Sequence, residues 1–181
     1  YMEKNKQLDY FSHCKNSNLV LSSLSLDILS SDYIAREMFD AGDIKDYVIW
    51  GIGKLKDNML IVKNNSLAGL VSFKKLKNGF EILQQIGSKK IISDCLKKMS
   101  SKNFIDFESL DLVKRIFVYQ ECGVSSDIKK ILKKNKDSIT VLNPLMKIDS
   151  YKKKRNDEIG LSYLSEMGYL FKLVKERFET K

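Results

Sequence analysis

The side chains that could act as nucleophiles, bases or metal ligands are few in this sequence. The one histidine, His13, precedes Cys14, and a Cys–His pair is an arrangement that activates a thiol nucleophile. Side chains of adjacent residues rarely face each other, so this pair does not predict a catalytic dyad. The carboxylates are scattered, and the serines have no other imidazole to act as a base. The sequence therefore predicts a protein that is not an enzyme and that has no catalytic or cofactor-binding residues.

The cysteines and glycines do not predict a metal centre or a phosphate loop. Cys14, Cys95 and Cys122 are odd in number and show no C-x-x-C spacing, which disfavours zinc and is typical of a reducing compartment. Residues 51–53, Gly-Ile-Gly, are too short for a phosphate loop, and the chain has no G-x-x-x-x-G-K-[ST] motif. Trp50, the only tryptophan, precedes these glycines in a predicted strand, where we expect it to lie in the core.

Positive charge is the strongest compositional signal. The formal net charge is +9 and the isoelectric point is near 9.3, which favours acidic partners such as nucleic acid, anionic lipid or an acidic protein surface. Heavy lysine use can equally reflect codon bias, and the basic segments can be solvated surface. Two segments concentrate the charge and are the candidate partner-binding residues: Lys129, Lys130, Lys133 and Lys134, and then Lys152, Lys153, Lys154 and Arg155.

The elements that must position these residues begin after a polar N-terminus. Residues 1–45 are predicted to be an extension or partial subdomain, and residues 46–181 to be one domain. Within the first part, residues 18–29 could form a strand. A helix follows, with Ser31 or Asp32 as its N-cap and Gly42 near its end.

The second part predicts a mixed α/β sheet. Three apolar runs separated by Asn-Asn and Asn-Gly turns indicate an antiparallel meander. Strands are predicted near 47–55, 59–63, 68–76, 115–120 and 139–143, and helices near 81–99, 126–135 and 157–178. The final helix carries an apolar stripe that should pack on the sheet: Ile159, Tyr163, Met167, Leu170, Val174 and Phe178. The order βββαβαβα from about residue 46 makes a five-stranded, ribonuclease-H-like sheet with flanking helices the simplest topology.

Residues 115–148, RIFVYQECGVSSDIKKILKKNKDSITVLNPLMKI, also carry a resemblance to a known family. They resemble the actin-like PilM proteins of type IV pilus assembly and the related cytoplasmic domain of the type II secretion protein GspL. Gly123 matches a glycine turn of that family, Asn143-Pro144 matches its Asn-Pro element, and residues 159–178 match its last helix. The likeness covers about one actin-like half-molecule, and a short chain of this kind is similar to the bundle-forming-pilus member.

The resemblance implies a non-enzymatic scaffold at the cytoplasmic face of the bacterial inner membrane. Its implied partners are the hexameric assembly ATPase and a polytopic membrane platform protein, with a homodimer as a further assembly. It also implies no nucleic-acid partner, and a transmembrane helix that follows Lys181. The family's nucleotide site is altered, because Trp50 or Gly51 stands where an aspartate is expected and Gly123 stands where the family has several glycines. The alternative, motivated by the charge, is a catalytically inactive ribonuclease-H-like module that binds nucleic acid.

Overall fold

The computed structural model of the protein describes residues 12, 15–17, 27–77, 79–100, 115–120, 139–147 and 164–179. Helix α1 and a short 3-10 turn precede the first strand, and α2 separates the fourth strand from the fifth. The elements are α1 (Asp27–Met38), a 3-10 turn (Ala41–Asp43), β1 (Tyr47–Ile52), β2 (Asp57–Lys63), β3 (Ser66–Leu76), β4 (Gly79–Gly87), α2 (Lys89–Ser100), β5 (Arg115–Gln120), β6 (Ile139–Val141), a second 3-10 turn (Pro144–Lys147) and α3 (Leu164–Glu179).

The strands form one mixed sheet of six, in the order β4-β3-β2-β1-β5-β6. The first four pair antiparallel as consecutive hairpins, and β5 and β6 lie parallel to β1. Alternation along β1 explains how one strand serves two cores. Val48, Trp50 and Ile52 point to one face, and Tyr47 and Ile49 point to the other.

Helices cover both faces of the sheet, as the sequence predicts. On one face, Trp50 and Phe73 pack with Ile92 of α2, whose buried side also carries Cys95 and Leu96. That side follows the predicted i, i+3, i+4 spacing, while Lys89, Lys90 and Lys97 are exposed. On the other face, Ile34 and Ala35 of α1 pack with Tyr47, Leu60 and Phe117.

Hydrogen bonds and close packing fix α1 in place. The Tyr47 hydroxyl donates to Asp32 at 2.6 Å, and Arg36 donates to the other oxygen of that carboxylate at 3.0 Å. Burial and the Asp32 carboxylate raise the pKa of Tyr47 above the ordinary value of a tyrosine.

The first helix begins earlier than predicted. It begins at Asp27, so Ser31 and Asp32 lie inside α1, and the predicted N-cap at either residue is wrong. Of the possible strand at 18–29, the last three residues are helical and the others lie outside the described residues.

Strand β4 corrects the prediction of a continuous helix over 81–99 and of a five-stranded sheet. Residues 79–87 form a hairpin partner of β3, and the helix begins only at Lys89. Gln84 lies opposite Ser72 and Ile82 opposite Phe73, so Leu83 is an extra residue that forms a bulge. Because of this bulge, and because residues 81–87 are all exposed, β4 lacks the alternation of apolar and polar residues that predicts a strand.

The last helix also differs from its prediction. Helix α3 packs on α1, where Gly168 lies against the backbone of Ser30 and Lys175 forms an ion pair with Glu37 at 3.0 Å. Leu170 and Val174 of the predicted stripe are 59% and 51% exposed, so the stripe does not pack on the sheet as a unit. The side of α3 that contacts α1 carries Gly168 and Lys175. Ile159 and Tyr163 of the stripe, the side chain of Phe178, and the predicted helix at 126–135 lie outside what the structure describes.

Candidate functional site

The carboxyl ends of the parallel strands β1, β5 and β6 meet at one edge of the sheet. In open α/β sheets this edge is the usual place for ligands and catalytic groups. Here it carries Trp50 and Gly51 of β1, Gln120 at the end of β5, and Asn143 just after β6. What these residues contact decides which chemistry the edge can perform.

A buried carboxylate lies beside this edge at the start of β2. Asp57 is 5% exposed, and one of its oxygens accepts a hydrogen bond from the Trp50 indole at 2.9 Å. The backbone N–H of Gly53 donates to the other oxygen at 3.3 Å. The ammonium of Lys75, at the end of β3, lies 2.8 Å from Asp57 and 4.5 Å from the centre of the Trp50 ring. We call Trp50, Asp57 and Lys75 the Trp50 cluster.

The Trp50 cluster has the character of a structural ion pair. Both oxygens of Asp57 accept hydrogen bonds, and the partly exposed ammonium of Lys75 compensates the negative charge. The buried carboxylate therefore has the partners that it needs. The Lys75 ammonium lies over the indole ring, which adds a cation–π contact. The prediction that Trp50 lies in the core is confirmed, because it is among the most buried side chains.

Gly51 permits a second close contact at the same edge, on the opposite face of the sheet. Its register partner on β5 is Tyr119, and the Tyr119 ring lies where a Cβ of residue 51 would project. Tyr119 is buried, so its ring fills the space above the first strand. The position at which the family resemblance expects an aspartate is therefore occupied on one face by Trp50 and on the other by a tyrosine ring.

Asn143-Pro144 ends β6 through a defined turn. The Leu142 N–H still donates to Val118 of β5 at 2.9 Å, which extends the parallel pairing one residue beyond the strand. The Asn143 side chain then accepts a hydrogen bond from Leu145 N–H at 3.1 Å, and its carbonyl accepts one from Met146 at 3.0 Å. Asn143 thus caps the 3-10 turn, and Pro144 occupies its first position, where no N–H is needed.

The candidate partner-binding residues chosen from the sequence are not among those described. Lys129, Lys130, Lys133, Lys134, Lys152, Lys153, Lys154 and Arg155 all lie outside the described residues, as do Gly123, His13, Cys14 and Cys122. Cys95 is a buried cysteine on α2. Within the described ranges, no three histidine, cysteine, aspartate or glutamate side chains lie close enough together to hold a metal ion. No helix in those ranges is long and apolar enough to cross a membrane.

Sequence reasoning missed Asp57 and Lys75. Both lie in polar segments that are typical of turns and are normally solvated, Lys-Asp-Asn and Lys-Leu-Lys-Asn-Gly. The signal that could have found them is the pairing of the predicted meander, because it brings the end of β3 beside the start of β2.

Comparison with known proteins adds no relative: the chain matches no protein-family model and no curated protein.

Proposed function

We propose that the chain is a non-enzymatic cytoplasmic scaffold domain of an inner-membrane platform that assembles type IV pili or a type II secretion system. In this proposal its sheet is ribonuclease-H-like and forms one actin-like half, to which β4 adds an extra edge strand. It binds the hexameric assembly ATPase and a polytopic membrane protein, and it binds no nucleotide.

The observation that carries this proposal is the order and direction of the strands. Five neighbouring strands run β3-β2-β1-β5-β6, and β2 alone among them is antiparallel to the rest. A three-strand meander whose first strand is followed by parallel partners is the arrangement expected of a ribonuclease-H-like sheet. Asn143-Pro144 forms a capped turn directly after the last of these strands, where the resemblance to the PilM and GspL proteins expects it.

The contents of the carboxyl edge support a scaffold over a nucleotide-dependent actin-like protein. A phosphate-bound metal needs an acidic or polar first-strand side chain with open coordination sites. Trp50 is bound to Asp57 at that position, and the Tyr119 ring lies over Gly51. A protein with such a filled edge acts through its surface.

The proposal is tested by association with the assembly ATPase of the same organism. Purified hexameric ATPase should be retained by the immobilised chain at moderate salt. Lys130→Glu with Lys134→Glu, and separately Lys153→Glu with Arg155→Glu, should keep the circular dichroism spectrum and weaken retention, because rim charges set on-rate and salt sensitivity. A matched control is Lys63→Glu, a charge reversal at the end of β2.

Each outcome separates a different part of the proposal. No retention of the ATPase by the wild-type chain contradicts the scaffold function. Retention that neither double variant weakens places the contact surface elsewhere. The nucleic-acid alternative predicts a gel shift of a DNA or RNA duplex whose affinity falls steeply with salt.

A further inference from the structure

A short sequence occurs twice in the β-meander, at two different turns. Residues 54–56 are Lys-Leu-Lys and connect β1 to β2. Residues 75–77 are again Lys-Leu-Lys, and they lead from the end of β3 into the turn before β4. Each copy places one leucine between two lysines at the tip of a hairpin.

The sheet brings the two copies to the same end of the molecule. Because β2 is antiparallel to both β1 and β3, the ends of β1 and β3 point in the same direction. Asp57, the first residue of β2, lies opposite Phe73, so residues 54–56 and 75–77 project from neighbouring hairpins. The contact between Lys75 and Asp57 joins the two turns directly. We call residues 54–56 and 74–77 the lysine–leucine edge.

The leucines of the lysine–leucine edge are solvated. Leu55 is 82% exposed and Leu76 is 58% exposed, although each belongs to a hairpin whose neighbouring residues enter the core. A leucine at a turn tip contributes nothing to the core. The two neighbouring tips therefore place two exposed leucines and their flanking lysines at the same end of the sheet.

The charge of this edge is positive and only partly compensated. Among the described residues, no carboxylate lies within ion-pair distance of Lys54, Lys56 or Lys77. Asp57 compensates Lys75, and Glu81 lies opposite Lys74 in the β3–β4 register. At the opposite end of the sheet positive and negative charges are mixed, because Asp40, Asp43 and Asp46 precede β1 there.

We propose that the lysine–leucine edge docks on the surface of an anionic lipid bilayer. The uncompensated lysines would meet the phosphate headgroups, and Leu55 and Leu76 would enter the boundary between headgroups and acyl chains. A nucleic acid would use the lysines but offers no apolar layer for the two leucines, and it favours aromatic and arginine side chains. The bilayer is the partner that uses both components of the edge.

This docking goes beyond the proposed scaffold function and rests on different residues. It concerns which end of the sheet faces the bilayer, whereas the ATPase surface is placed on the basic segments at 129–134 and 152–155. The vesicle experiment contains no ATPase, and the ATPase experiment contains no lipid. The failure of one proposal is therefore distinguishable from the failure of the other.

Co-sedimentation with vesicles tests the proposal. The full chain should sediment with vesicles of phosphatidylglycerol and phosphatidylethanolamine and not with phosphatidylcholine alone, and added salt should weaken the binding. Lys54→Gln with Lys56→Gln and Lys77→Gln should lower the partition coefficient about a hundredfold, at about fivefold for each lysine near the surface. Leu55→Ser with Leu76→Ser should lower it by roughly tenfold, through lost apolar burial.

Matched controls come from the opposite end of the sheet. Leu67→Ser changes a similarly exposed leucine there, and Lys89→Gln with Lys90→Gln removes two exposed lysines at the start of α2. Both controls should keep wild-type binding. Equal losses in the controls, or full binding by the Leu55 and Leu76 variant, would refute docking by this edge. Salt-sensitive binding of a short DNA duplex, together with full vesicle binding by the Leu55 and Leu76 variant, would instead identify a nucleic-acid surface and also overturn the proposal.

Discussion

The Trp50 cluster allows one stability prediction to be worked from distances. Asp57→Ala removes the acceptor of the Trp50 indole at 2.9 Å and of the Gly53 N–H at 3.3 Å, and it removes the carboxylate partner of Lys75 at 2.8 Å. Trp50 is a core residue that is 1% exposed, so its indole N–H loses a buried acceptor when Asp57 is removed. The three losses differ in cost because the three donors differ in exposure.

The buried indole sets the largest cost. A buried donor left without an acceptor costs about 1–3 kcal/mol. Lys75 is 42% exposed at its side chain and can turn to water, so its ion pair contributes at most about 1 kcal/mol. We therefore expect Asp57→Ala to lower the free energy of unfolding by about 1–4 kcal/mol, which corresponds to a Tm decrease of roughly 2–16 °C in a chain of this size. Asp57→Asn keeps the size and one acceptor oxygen, and it should cost roughly 1 kcal/mol.

Urea unfolding followed by tryptophan fluorescence is the appropriate assay, because Trp50 is the only tryptophan and belongs to the cluster. Asp43→Ala is the matched control, since Asp43 is an exposed carboxylate outside the core and its removal should change stability by less than about 0.5 kcal/mol. An Asp57→Ala midpoint equal to that of the control, with an unchanged slope, would refute the assignment of a buried, satisfied carboxylate.

The other predictions concern the helix contact, pH and nucleotide. Gly168→Ala places a Cβ against the Ser30 backbone and should cost about 1–3 kcal/mol in urea unfolding, whereas Gly42→Ala, with open space around it, should not destabilise. The pKa of Tyr47 is raised by burial and by Asp32, so this residue's contribution to stability is present below about pH 10 and is lost as pH rises further. Tyr47→Phe should therefore flatten the fall of Tm measured above pH 10. Isothermal titration with Mg-ATP should show no binding, and a micromolar dissociation constant would contradict the filled carboxyl edge.

The strands that form the centre of the sheet were predictable from the sequence because local pattern and burial agree there. Observed β1, β2, β3 and β5 begin within two residues of their predicted starts. Their runs are rich in valine, isoleucine and phenylalanine, and Asn-Asn and Asn-Gly mark the turns. The ladder continues beyond β6 through the Leu142 N–H, so the predicted end at 143 and the observed end at 141 differ mainly by this one bond.

Edge strand β4 and helix α3 were not predictable in the same way, since residues 81–87 of β4 and Leu170, Phe171 and Val174 of α3 are exposed. Strand β4 is held by its backbone pairing to β3, and Ile82 and Ile86 remain exposed. The i, i+4 spacing of these two isoleucines fits a helix as well as a strand. Helix α3 is positioned by the small size of Gly168 and by the Lys175–Glu37 ion pair. A hydrophobicity pattern contains neither feature.

The contents of the candidate site were not predictable from the sequence, because they depend on contacts between strands. The sequence predicts that Trp50 lies on the first strand and in the core, but it does not indicate that Asp57 and Lys75 would meet it. They meet because β1, β2 and β3 are neighbours, which brings a residue from the start of β2 and one from the end of β3 to the same indole. The same pairing that buries Asp57 leaves Leu55 and Leu76 at the tips of adjacent turns. The pairing of β2 with β1 and β3 therefore has two consequences. Side chains of the sheet itself fill its carboxyl edge, and the adjacent lysine–leucine edge offers charge and apolar area to a partner.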